Sequence, residues 1–347
     1  MRLLRRLALA FAVIAALPTV PLSAAFAATV VRVGYIPVLG IGQLFVIDGA
    51  GWARDAGISL KLTQFDSGPA MISALASGTL DAYMGGIGPV MVASGRGVPV
   101  KVVAATAIEE LALVGRGAFA QEPDAGSAAG FKNFVERTGR KVRIATQPAG
   151  SVPDTVLRYW LQRVAKVDPA YYEIVAMGID QTQQAVLSGA VDAATIREPA
   201  LTIVLGRDRA AKLLVLGGGM MENQPGSVLA LTQPFLDKEP AVAHALVAMH
   251  RRATALLRDK PAEAAPLLQA GLGKGIVDTA TFERALASPA SKFVADPERI
   301  RAATGVMQDF QIHLGVLDRP ADLDSLFDPA LYRAAEAGQG NGQGNGQ

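Results

Sequence analysis

Two short words of this sequence recur at one separation. Val31-Arg32-Val33-Gly34-Tyr35-Ile36-Pro37 aligns with Val142-Arg143-Ile144-Ala145-Thr146-Gln147-Pro148, and both are 111 residues apart. Ser77-Gly78-Thr79-Leu80-Asp81-Ala82 aligns with Ser188-Gly189-Ala190-Val191-Asp192-Ala193 at the same offset, as does the strand-like run 60–65 with 171–176. One helix–glycine–strand junction can repeat by chance. Two words at an identical offset, with matching runs between them, predict a duplicated unit and therefore two related lobes.

Each unit alternates short apolar runs with helical spacing. Strands are expected at 30–35, 60–65, 80–84 and 100–105, with helices over 43–56 and 70–77 between them. That alternation predicts an α/β fold whose sheets are mostly parallel and flanked by helices. The second unit is expected to run from 111 to 232, closing with strands 212–216 and 227–232. The small-residue stretch Gln121–Gly130 reads as a segment between the lobes. After Pro234 the spacing is helical over 240–257, 262–270, 279–287, 297–314 and 320–336, and these helices are expected to pack mainly on the first lobe. The boundaries are thus 28–110 for the first lobe segment, 111–232 for the second lobe and 233–337 for the C-terminal helices. The Gly/Gln/Asn run 338–347 has no apolar residue and is expected to be disordered.

Residues 1–27 read as a secretory leader. Arg2, Arg5 and Arg6 precede the apolar run 7–17, and Ala25-Phe26-Ala27 supplies small residues for cleavage after about Ala27. The run is short for a membrane span and Pro18 and Pro21 interrupt it. Cleavage removes three arginines and takes the formal charge from +2 to −1, which leaves no argument for nucleic acid or an anionic membrane surface. A soluble periplasmic protein is expected, and nothing calls for a second subunit, so a monomer. The chain has no cysteine and only three histidines, His244, His250 and His313. Thiolate chemistry is excluded and a histidine metal cage disfavoured, so neither cofactor nor metal is expected.

In open α/β sheets, ligands bind beyond the carboxyl ends of the strands. The sequence puts its glycine-rich turns there: 35–42, 66–69 and 85–89 in the first unit, and 146–153, 177–181 and 196–199 in the second. Six loops converging on one cleft is the expectation. The candidate contacts are Tyr35, Ile36, Pro37, Ser67, Gly68, Ile87, Gly88 and Pro89 from one side. Gly150, Ser151, Val152, Arg197 and Glu198 come from the other. Ser67-Gly68-Pro69 and Gly150-Ser151-Val152-Pro153 each offer a hydroxyl, open backbone and a helix start, a combination that takes anions or carbonyl oxygens. Arg197, at the end of an apolar strand, is placed to grip an anion bidentately; pairing with Glu198 is the plainer alternative. Tyr83 reads as core, Trp52 and Trp160 as packing residues, and Asp81 and Asp192 as strand-start residues.

These motifs carry a resemblance. Gly34-Tyr35, Ser67-Gly68-Pro69, Ala74-Leu75-Ala76-Ser77-Gly78-Thr79-Leu80-Asp81, Gly86-Ile87-Gly88-Pro89, Gly150-Ser151 and 187–193 leading into Glu198-Pro199 occur in an order that resembles one family. It is the periplasmic substrate-binding proteins of ABC importers for nitrate, sulfonate and taurine, a group that includes thiamine-precursor-binding proteins. The resemblance implies a type II periplasmic-binding fold, two hinge crossings, a cleft closing on one small molecule, and an inner-membrane ABC permease as partner. Two departures stand out. Arg197 occupies a position where the family often has an aromatic residue, and the loop 34–40 lacks the Trp-x-Pro-Asn pattern of the thiamine-precursor branch. A small organic molecule with an acidic group, sulfonate- or carboxylate-like, is the expected ligand. A binding protein serving a membrane receptor, or an enzyme on the same fold, are the alternatives.

Overall fold

A computed structural model describes residues 28–340; the leader therefore lies outside the described residues. The strands in chain order are β1 (Thr29–Tyr35), β2 (Ile58–Gln64), β3 (Ala82–Gly86), β4 (Val100–Ala105), β5 (Ala107–Ile108) and β6 (Leu111–Arg116). They continue with β7 (Val142–Thr146), β8 (Tyr172–Ala176), β9 (Ala193–Arg197), β10 (Ala211–Leu216), β11 (Ser227–Thr232) and β12 (Lys292–Phe293). Two five-stranded sheets form, ordered β2-β1-β3-β11-β4 and β10-β6-β9-β7-β8.

The sheets are built alike. Reading the second backwards pairs β1 with β7, β2 with β8, β3 with β9 and β4 with β10, and β3 and β4 are each displaced by 111 residues from their counterparts. In both, β1-type strands pair in parallel with their β2- and β3-type neighbours, and one antiparallel strand sits between the third and fourth. The central strands are buried throughout because helices cover both faces: β3, β9 and β11 are buried at every residue. The edge strand β2 instead alternates, as a half-exposed strand must.

The structure moves one strand between lobes. β11 was expected to close the second lobe, yet it lies in the first sheet, antiparallel to both β3 and β4. Its largely apolar, fully buried sequence Ser-Val-Leu-Ala-Leu-Thr fits an interior position on either sheet, so composition alone does not choose. The chain therefore crosses between lobes at 109–110 and again at 221–226. The crossings run side by side: the Glu109 N–H donates to Gln224 O at 2.9 Å and the Thr106 N–H to Ser227 O at 3.0 Å.

Three other expectations change. The stretch 121–130 lies inside the second lobe, where Ser127 caps the helix Ala128–Thr138. The helical pattern 43–56 splits into Gly42–Gly49 and Trp52–Asp55, because Gly51 takes a left-handed φ of 73°. The last helix, Ala330–Gly340, carries the chain into the polar tail, whose remaining residues lie outside those described.

The C-terminal helices do more than cover the first lobe. Pro240–Asp259 packs on Gly42–Gly49, but Thr279–Leu286 meets the second-lobe helix Ala200–Arg207. Glu298–His313 touches Ile87–Gly95 of one lobe and Val152–Tyr159 of the other. Lys292, in β12, forms an ion pair with Glu109 at the first crossing.

Candidate functional site

The loops at the carboxyl ends of both sheets face each other and touch. The Leu39 N–H donates to Glu198 O at 2.8 Å and the Ile179 N–H to Asp66 O at 3.1 Å, each bond spanning the two lobes. From the C-terminal helices, Gln311 Nε2 donates to Gly150 O at 3.2 Å and to Thr155 Oγ1 at 3.1 Å. Gly88 permits a close approach: a Cβ there would lie 2.8 Å from Gly150 O and 2.9 Å from Gln311 Nε2. This is a closed arrangement.

Between the loops lies a cavity of about 160 Å³. Pro37 and Val38 line it from the first lobe, and Gln147, Asp180, Thr182, Thr195, Arg197 and Glu198 from the second. Leu272, Val277 and Phe282 close it from the C-terminal helices. A larger depression, about 560 Å³, opens around Arg32, Asp81, Thr232 and Lys238. It sits at the amino ends of the first sheet's parallel strands, away from the loops.

Of the residues expected at the site, Pro37, Arg197 and Glu198 line this cavity, and Tyr35 and Ile36 adjoin Pro37. The second group packs together instead. Gly68 sits where a Cβ would meet Pro89 Cγ at 2.7 Å and the Tyr83 hydroxyl at 2.8 Å, and Gly86 is filled against Val152. Ile87, Gly88, Pro89 and Val152 are buried in that lobe-to-lobe contact. Ser151 caps its helix, its Oγ accepting from the Asp154 N–H at 3.2 Å, so that hydroxyl is already engaged. Ser67 occupies the equivalent position before Gly68–Ala76 without making a capping bond. Tyr35 stands edge-on to Phe45, with ring centroids 5.4 Å apart. Tyr83 is fully buried and donates to Gly86 O at 2.9 Å; burial pushes its hydroxyl pKa upward.

Arg197 is not free. Its side chain is 2% exposed, and Nε lies 3.4 Å from Oε1 of Glu110, itself 3% exposed. The same Glu110 oxygen accepts from Ser227 Oγ at 2.7 Å. The expected partner Glu198 points elsewhere, its Oε2 accepting from the Thr202 N–H at 3.0 Å. Burial raises the Glu198 pKa, and the neighbouring Ser288 and Thr202 pull it back. Gly40 fits against Glu110, where any Cβ would overlap the carboxylate. Sequence reasoning missed Glu110 because its partners lie on β9 and β11, far along the chain. It also missed the apolar cover from Leu272, Val277 and Phe282.

Asp81 and Asp192 serve as strand-start anchors bonded to arginines, not as acid–base groups. Trp160 is buried against Phe131, and Trp52 lies under Arg252, whose guanidinium is 3.7 Å from the ring centroid. Among the described residues, no cluster of His, Asp or Glu is arranged to hold a metal, and no helix is long and apolar enough to cross a membrane.

Two similarly built lobes, two adjacent crossings and a cleft at the strands' carboxyl ends define a periplasmic-binding fold of type II. The profile of the NMT1-like family matches residues 25–270, and the chain belongs to that family. A Bacillus subtilis protein named for binding aliphatic sulfonates is 25% identical over 301 residues, covering 85% of each chain. Two solved structures share the fold. The nitrate-binding protein NrtA from Synechocystis has a TM-score of 0.75 at 14% identity, covering 89% of each chain. The ligand-binding component of an ABC-type import system from Staphylococcus aureus, solved with zinc bound, has a TM-score of 0.74 at 18% identity. It covers 88% of this chain and 99% of its own.

Proposed function

We propose that this protein is the periplasmic solute-binding component of an ABC importer, capturing one small organic molecule by closure of its lobes. The carrying observation is the cavity at the carboxyl ends of both sheets, bridged by the Leu39–Glu198 and Ile179–Asp66 hydrogen bonds. Ligand contacts made to both lobes at once favour the closed form over the open one, which is the coupling a transporter reads. A permease in the inner membrane is the partner, and the leader read at residues 1–27 supplies the address.

The cavity also limits the cargo. About 160 Å³ is close to the roughly 150 Å³ that holds a benzene ring in an engineered apolar cavity of another protein. Its lining mixes Pro37, Val38, Leu272, Val277 and Phe282 with a few polar groups, suiting a compact molecule with an apolar body. The test is a thermal-shift screen of residues 28–347 against compact organic molecules of graded size and charge. A ligand at 100 times its Kd is expected to add about 2.7 kcal/mol, and compounds much larger than the cavity are expected to do nothing. Stabilisation only by bulky compounds would contradict the reading.

A further inference from the structure

Glu110 stands behind Arg197, outside the cavity lining, and changes what the cavity can hold. The guanidinium and carboxylate are both buried, 3.4 Å apart, and fixed from two further sides by Ser227 and Gly40. The charged residues lining the cavity itself are Asp180, Arg197 and Glu198. Glu110, from behind the lining, gives the Arg197 guanidinium its one paired carboxylate among the described residues. An anion entering from water gives up its hydration and meets no uncompensated positive charge in return.

Arg197 nonetheless lacks hydrogen-bond acceptors at Nη1 and Nε, and Glu198 Oε1 and Glu110 Oε2 lack donors. Buried polar atoms without partners are costly. A ligand oxygen that carries no full charge satisfies the guanidinium, and a ligand N–H satisfies Glu198, without disturbing the charge balance. The two demands fall on one cavity.

We infer that Glu110 sets the charge selectivity of the cleft: by countering Arg197 it favours a small dipolar ligand without net charge, amide-like in chemistry, over simple sulfonates, carboxylates and nitrate. This inference rests on the solute-binding reading above. It competes with the expectation, drawn from the strand-end position of Arg197, that the arginine clamps an organic anion. Glu110 acts through Arg197 and is a positioning residue. A purely structural role would weaken all ligands together, whereas this role changes their ranking.

The experiment compares butanesulfonate with butyramide, two probes of similar size and different charge, by thermal shift on the wild type, Glu110→Gln and Glu110→Gln/Arg197→Met. Glutamine keeps an acceptor for Ser227 and removes the charge; Glu110→Ala serves if that variant does not fold. The Glu110 variant is expected to respond to butanesulfonate at about tenfold lower concentration than the wild type, with butyramide changed by less than about threefold. The added Arg197→Met change is expected to abolish the gain. A wild type that responds to butanesulfonate as readily as the Glu110 variant overturns the inference, and so does a variant that gains nothing. Failure of every compound, of any charge, to act on any form would sink the solute-binding reading too. A wild type that prefers the sulfonate sinks only the role of Glu110.

Discussion

Asp81 and Asp192, 111 residues apart, do the same work in the two lobes. Asp81 Oδ2 accepts from the Arg32 N–H, and Asp192 Oδ2 from the Arg143 N–H, each at 2.9 Å. Each carboxylate anchors the strand that opens its unit. The guanidinium partner differs: Arg32 itself in the first lobe, and Arg140 in the second. Duplication preserved the backbone contact, while the ion pair was solved twice.

Asp81→Ala therefore removes an acceptor that two groups of Arg32 share. A loss of about 1–3 kcal/mol is expected, measured as a lowered urea midpoint. Asp192→Ala is expected to cost a similar amount, and the two changes to add, because they sit in different lobes.

His250 is fully buried beneath the first sheet, its Nε2 at 2.7 Å from Ala105 O and its Nδ1 without a partner. Burial pushes its pKa down to about 4 from an ordinary 6.5, against the pull of that carbonyl. The unfolded chain thus binds a proton between pH 6.5 and 4 that the folded chain refuses. Stability is full above pH 6.5 and falls by about 3 kcal/mol as pH drops to 4. His250→Gln is expected to flatten that part of the stability–pH curve; an unchanged slope would contradict the assignment.

Gly88→Ala places a methyl group against Gly150 O and Gln311. Gly150 belongs to the second lobe and Gln311 is bonded to it, so the clash acts on the closed form. Weaker ligand binding by about tenfold is expected, with little change in the melting temperature of the unliganded protein. Titration calorimetry checks the first and scanning calorimetry the second.

Phe282 is fully buried and closes the cavity from the C-terminal helices. Phe282→Ala is expected to cost about 3–5 kcal/mol in stability and to let larger compounds bind. A variant that loses stability without accepting larger ligands would place Phe282 in the core alone.

The repeat made much of the fold legible. The words at Val31 and Val142 mark β1 and β7, and those at Ser77 and Ser188 lead into β3 and β9. The destination of β11 was not legible, because a largely apolar six-residue strand suits any interior slot and only its long-range pairing decides. The helix Ala128–Thr138 hid in a stretch rich in small residues, although Ser127 three residues before Gly130 was a readable cap. At the cleft, the loops were visible in their glycines, and Arg197 in its place after an apolar strand. The Arg197–Glu110 contact was not, since it joins strand ends that only the folded sheets bring together.

Small-angle scattering of the protein with and without the best ligand from the thermal-shift screen reads closure of the lobes in solution. A smaller radius of gyration is expected on binding, as two lobes hinged at 109–110 and 221–226 draw together, with loss of that change in Gly88→Ala. A ligand that stabilises the wild type while leaving its radius of gyration unchanged would contradict closure of the lobes as the means of capture.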